Sequence, residues 1–156
     1  MTKSKEKVLG VIPARWASSR FPGKALALIA GRPMIERVWC QALKCATLDR
    51  VVVATDDKRI ADCVNNFGGE VMMTPSDTPT GTDRIAIVAR EMADFPIVLN
   101  IQGDEPLLEP GPIDAAVELM HITPRAGCTT LVRPARSAVE VNDPNAVKVL
   151  MGAGGR

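Results

Sequence analysis

Apolar residues along the chain fall into short continuous runs separated by longer amphipathic stretches, a pattern that predicts strands and helices in alternation. Val8 to Ile12 is rich in β-branched residues and ends at Pro13, as a strand covered on both faces does. The same reading gives strands over Val51–Ala54, Val71–Met73 and Pro96–Ile101. Between them, helical spacing links Met34, Ile35, Val38, Trp39, Ala42 and Leu43 behind Pro33, and then Ile60, Ala61, Val64 and Phe67. Thr55, Asp56 and Asp57 can cap the second of these helices, and Gly68–Gly69 can close it. A third helix is predicted with Ile85, Ala86, Ala89, Met92 and Ala93 on its apolar face. A fourth is predicted from Gly111 to His121, burying Ile113, Ala116, Val117 and Met120. Beyond it, Cys128–Val132 and DPNAVKVL from Asp143 to Leu150 predict two more strands, and MGAGGR reads as a loop. Trp39, Met72 and Met73 belong to the core on this pattern, and His121 to the dipole of the helix it ends.

Alternating strands and helices predict an α/β fold: a Rossmann-like, mostly parallel sheet flanked by helices, with ligands held at the carboxyl ends of the strands. A length of 156 residues suits a single domain, 1–156. The net charge of +1 removes any general attraction to nucleic acid or an anionic membrane, so charge can act only where it is clustered. The opening MTKSKEK lacks a signal's apolar segment, and Cys40, Cys45, Cys63 and Cys128 form no CxxC pair. Buried free thiols and a cytoplasmic location are the expectation.

Charge is clustered in one place. From Lys7 through Ile35 there is no Asp or Glu, yet Lys7, Arg15, Arg20, Lys24 and Arg32 all fall there. The core of this segment, GVIPARWASSRFPGK, empties the first strand into a loop of small residues carrying Ala14, Arg15, Ser18, Ser19, Arg20 and Lys24. It is not a phosphate-binding P-loop, having Ser18 and Ala25 where that pattern needs glycine and Ser or Thr. What it offers a phosphate is point charge, bidentate arginine and backbone amides.

Two further motifs face the same question. QGDEP sets Gln102, Asp104 and Glu105 directly after the fourth strand, where a carboxylate can hold Mg²⁺ beside a nucleotide's phosphates, Asp104 ahead of Glu105. TGTDR offers Gly81, Thr80 and Thr82 for close hydrogen bonding and Arg84 for a base or phosphate oxygen. A capped helix start explains TGTDR equally well. Asp56 and Asp57 read as caps. Trp16, inside the basic loop, either covers a ligand or packs on a neighbouring helix.

VIPARWASSRFPGKALALIAGRPMI, VVVATDD, TGTDR, VLNIQGDEP and DPNAVKV, in this order, resemble the amino-terminal part of the CMP-Kdo synthetases, the 3-deoxy-manno-octulosonate cytidylyltransferases. The resemblance implies a nucleotide-diphospho-sugar transferase type of fold, truncated here. It also implies transfer of CMP from CTP to Kdo with release of pyrophosphate, for lipopolysaccharide biosynthesis. On that basis Ala14, Arg15, Ser18, Ser19, Arg20 and Lys24 match a triphosphate loop, and Gly81, Thr82, Arg84 and Gln102 match nucleotide contacts. Asp104 matches a Mg²⁺ ligand, and Arg15, Lys24 and Asp104 carry the catalysis. Members of the family extend well past Arg156, into a part that supplies sugar contacts, a second metal-binding Asp and a homodimer interface. CTP and Kdo are the implied partners. A CMP-sialate synthetase or another sugar nucleotidyltransferase, and a non-catalytic nucleotide-binding module, are the competing readings.

Overall fold

The structure, a computed structural model, describes residues 6–17 and 21–152. Its centre is β1 (Val8–Ala14), whose residues are almost all buried because helices cover both of its faces. A short 3₁₀ turn at Lys24–Leu26 leads into a small hairpin of β2 (Leu28–Ile29) and β3 (Arg32–Pro33). Helix α1 (Met34–Ala42) follows, then β4 (Arg50–Thr55), α2 (Lys58–Asn66), β5 (Glu70–Met73) and α3 (Gly81–Glu91). The chain continues through β6 (Ile97–Asn100), α4 (Pro110–Ile122) and a short α5 (Ala138–Asn142).

Four strands form one wholly parallel sheet in the order β5-β4-β1-β6. The order reverses at β1: successive strands step outward on one side through β4 and β5, and β6 is added on the other. Beyond the carboxyl ends of β1 and β6 a crevice opens. The mostly parallel Rossmann-like architecture expected from the alternation is therefore present.

Period-2 alternation divides the core into two layers. Ile12, Ala14, Val51 and Val53 face α1 and α2, meeting Ile35, Val38, Ile60 and Val64. Leu9, Val11, Val52 and Ala54 face α3, meeting Ile85, Val88 and Met92. The stripe α3 buries is thus Ile85–Val88–Met92. Ala93, expected on that face, is exposed, because α3 ends at Glu91 and Ala93 lies in the turn beyond it. Trp39 packs on Phe67 at the edge of its layer, whereas Met73 is 53% exposed at the outer end of β5 and is not core. Of the cysteines, Cys45 is buried, Cys40 and Cys63 are half-buried, and Cys128 is exposed, which corrects the expectation of four buried thiols.

The two strands expected after α4 are absent. Residues 127–131 run beside β6 without joining its ladder, and α5 forms where no helix was expected. A strand needs a neighbour for its amides and a layer for its side chains. Val147 and Leu150 have neither and stand 96% and 94% exposed. Among the described residues, no helix is long and apolar enough to cross a membrane.

Candidate functional site

At the reversal point a cleft of about 280 Å³ opens between the loops that leave β1 and β6 and the first turn of α3. Its wall collects Ala14, Arg15 and Lys24 from the first loop, Gln102 and Asp104 from the second, and Gly81 and Arg84 from α3. Residues separated by up to ninety positions in sequence therefore meet around one space. Ser18, Ser19 and Arg20 lie outside the described residues. Thr82, one residue into α3, is exposed and does not line the cleft.

Lys24 reaches the site because Gly23 turns the chain in the left-handed region, at φ 70°, immediately before the 3₁₀ turn. There the Lys24 Nζ donates to Asp104 Oδ2 at 2.6 Å. The two side chains are 42% and 50% exposed, so the pair faces solvent and is open to a ligand from either side.

Asp104 is brought to the cleft by Gly103. A Cβ at that position would lie 2.8 Å from the Pro13 carbonyl oxygen, so only glycine lets the loop after β6 press against the end of β1. Gly103, together with Thr78, lines the cleft and was not singled out by sequence reasoning; the clue was a glycine wedged between a strand end and a carboxylate.

The start of α3 is a reciprocal cap. Thr80 Oγ1 accepts from the Asp83 amide at 3.1 Å and donates to Asp83 Oδ2 at 2.7 Å, while Gly81, whose N–H lies in the unpaired first turn, faces the cleft. TGTDR is thus a helix cap, and its Thr80, Gly81 and Arg84 also line the cleft.

Arg84 is placed differently from expectation. It is only 2% exposed, its Nη2 donates to Asp56 Oδ2 at 2.9 Å, and its Nη1 donates to the Thr74 hydroxyl. Thr74 in turn donates to the Thr55 carbonyl at 3.1 Å. The guanidinium therefore ties α3 to the ends of β4 and β5 and shows the cleft only an edge. Asp56 is its ion-pair partner rather than a helix cap, and Asp57 alone caps α2, accepting from the Arg59 amide at 2.9 Å.

A divalent cation would find one hard oxygen ligand here. Among the described residues there is no group of three or more His, Cys, Asp or Glu able to enclose a metal. Mg²⁺ does not need one, since it commonly takes one or two carboxylates and completes its shell with water and substrate phosphates. Asp104, half exposed and already drawing a cation, fits that mode.

A parallel α/β sheet with a cationic cleft and one exposed carboxylate at its reversal point defines a class of phosphate-ester-handling proteins. Comparison narrows it. The family described as Cytidylyltransferase matches residues 9–155, and the chain belongs to that family. A 3-deoxy-manno-octulosonate cytidylyltransferase of Syntrophotalea carbinolica is 52% identical over 143 residues, covering 92% of this chain and 57% of its own length. One from Leptospira biflexa is 50% identical over 151 residues, covering 97% and 61%. The solved structure of a CMP:2-keto-3-deoxy-manno-octonic acid synthetase complexed with CTP superposes with a TM-score of 0.74 at 43% identity, over 76% of this chain and 49% of that one. The chain thus spans less than two thirds of the length of these relatives.

Proposed function

We propose that this chain holds CTP in the cleft between β1 and β6 and serves the transfer of CMP to Kdo, with release of pyrophosphate, as a 3-deoxy-manno-octulosonate cytidylyltransferase. The observation that carries this reading is the meeting of Lys24 with Asp104 at 2.6 Å across the reversal point, a cation and an anion from loops eighty residues apart. The identities of 52% and 50% to cytidylyltransferases of that name support the choice of nucleotide and acceptor.

The sugar hydroxyl oxygen forms a bond to the α-phosphorus as the bond from that phosphorus to the β-phosphate oxygen breaks, and the hydroxyl proton passes to solvent. No protein nucleophile is required, so the residues act by alignment and by opposing charge. Lys24, Arg15 and Arg20 oppose the charge that grows on departing pyrophosphate. Ala14, Ser18, Ser19 and Gly81 offer close backbone approach, Gln102 offers hydrogen bonds, and Arg84 fixes the wall on which the nucleoside rests, while Thr82, outside the cleft wall, has no part in it. Asp104 holds Mg²⁺, which when bound polarises phosphate oxygens and lowers the pKa of a nearby hydroxyl. The reading places the protein in the cytoplasm, feeding lipopolysaccharide synthesis, and in its complete family form as a homodimer.

Pyrophosphate release measured with CTP, Mg²⁺ and either Kdo or sialic acid tests the assignment. Release with Kdo supports it, and release with sialic acid alone overturns it. A second reading, a nucleotide-binding module without turnover, is separated by the same assay. In that case CTP raises the melting temperature and no sugar yields pyrophosphate.

A further inference from the structure

Arg59 stands outside the cleft, on the first turn of α2, and nothing in the nucleotide reading uses it. Its guanidinium lies over the Trp16 indole with Cζ 3.2 Å from the ring centroid. Its fork is fixed from behind: Nε and Nη2 donate to the two carboxylate oxygens of Asp57 at 2.9 and 2.6 Å, and Asp57 is the cap of α2. Hydrogen bonding to Arg59 is the largest influence on the Asp57 carboxyl and helps hold its pKa below the ordinary range.

Gly23 packs closely against the six-membered ring of the same indole. A Cβ there would fall 2.8 Å from the indole Cη2, and the Gly23 amide donates to the Trp16 carbonyl at 3.0 Å, tying the two residues together. Gly23 precedes Lys24 directly. An unbroken stack therefore runs from the capped end of α2 through Arg59 and Trp16 to the residue that aims Lys24.

We propose that Arg59 is a positioning residue, which stacks on Trp16 to hold it against Gly23, the residue that presents Lys24 to a nucleotide's phosphates. This inference rests on the proposed function for the identity of the ligand. Cation–π contacts differ from ordinary packing in depending on charge and planarity, so Lys at position 59 should serve partly and Ala should not serve at all.

The test is CTP affinity by titration calorimetry, alongside emission of Trp16 in a Trp39→Phe background, where it is the sole tryptophan. Arg59→Ala is expected to weaken CTP about 3- to 10-fold and shift the emission to the red, and Arg59→Lys to recover part of both. Trp16→Leu should weaken CTP similarly, and the double variant should be no weaker than either single one, because both break one stack. Multiplying losses in the double variant would mean that Arg59 acts through its own charge, which overturns the proposal. So would unchanged affinity and emission in Arg59→Ala. A wild-type chain that does not bind CTP, with emission that still responds to Arg59→Ala, marks failure of the nucleotide reading instead and leaves Arg59 with no phosphate loop to position.

Discussion

The Lys24 ammonium and the Asp104 carboxylate face each other at 2.6 Å from loops that follow adjacent strands. With both side chains 42–50% exposed, such a pair contributes at most about 1 kcal/mol to stability. Its significance lies in what each partner does to the other's ligand. While paired, Asp104 competes with phosphate for Lys24, and Lys24 competes with a metal ion for Asp104.

Asp104→Asn accordingly separates the two competitions. Without the carboxylate, CTP in the absence of Mg²⁺ meets an unopposed Lys24 and is expected to bind more tightly than to the wild type. The gain in affinity that Mg²⁺ gives the wild type should be lost. Calorimetric titration of CTP with and without Mg²⁺ reads both; weaker metal-free binding in the variant contradicts the account. Lys24→Ala should cost about 1.5–3 kcal/mol of CTP binding in the same titration.

Gly103→Ala tests how the carboxylate arrives. The new methyl would sit 2.8 Å from the Pro13 carbonyl oxygen, a backbone atom anchored in the central strand, so the loop after β6 must move. The expected cost is about 1–3 kcal/mol of stability in urea denaturation, with CTP affinity reduced in the same variant. Wild-type behaviour in both measurements would mean that the loop has slack.

Much of this was legible in the sequence for a definite reason. Strands buried on both faces write themselves as continuous apolar runs, and β1, β4 and β6 were read from Val8–Ile12, Val51–Ala54 and Pro96–Ile101. The cleft followed, because in such a sheet the loops after β1 and β6 must adjoin, and seven of the expected residues do line it. What the sequence hid was pairing between side chains remote in the chain. Nothing around Arg84 announces Asp56, twenty-eight residues earlier, and nothing around Trp16 announces Arg59. The segment after α4 misled because β-branched runs signal a strand only where a neighbour exists to pair with.

The hairpin of β2 and β3 was also missed, since its two-residue turn is Ala30–Gly31 rather than Asn-Gly. Both residues adopt positive φ, 46° and 78°, as this tight turn demands. Alanine in that region costs on the order of 1–2 kcal/mol, and Arg37 compensates by donating to the Ile29 and Ala30 carbonyls at 2.6 and 3.0 Å. Ala30→Asn or Ala30→Gly is expected to stabilise the fold by about 0.5–1 kcal/mol in thermal denaturation. A loss of stability in both would show that the turn prefers its alanine for another reason.

The residues after α5 can be tested by making them polar. Val147 and Leu150 are 96% and 94% exposed, so Val147→Lys and Leu150→Lys should each change the unfolding free energy of this chain by no more than about 0.5 kcal/mol. Both should also reduce binding of an apolar dye, because they remove surface that such dyes seek. A loss above about 2 kcal/mol would place these side chains in a core, against their exposure.

Asp114 anchors α4 and gives the fold a dependence on pH. Its carboxylate accepts from the Ala46 amide at 3.1 Å, the Thr47 amide at 2.9 Å and the Thr47 hydroxyl at 2.6 Å, bridging α4 to the turn before β4. Desolvation pushes this carboxyl upward, but the hydrogen bonds from Thr47 and Ala46 outweigh it and leave its pKa below the ordinary value. A depressed carboxyl contributes stability above the unfolded pKa of about 3.9 and loses it as pH falls through the lower folded value. Asp114→Ala should therefore cost about 1.5–3 kcal/mol at pH 7, and the gap to wild type should narrow as the pH is taken below about 4. Urea denaturation of both proteins at neutral and acid pH measures that gap. An equal gap at both would assign the anchoring of α4 to Ile113, Ala116 and Val117, its buried apolar residues, and not to the carboxylate.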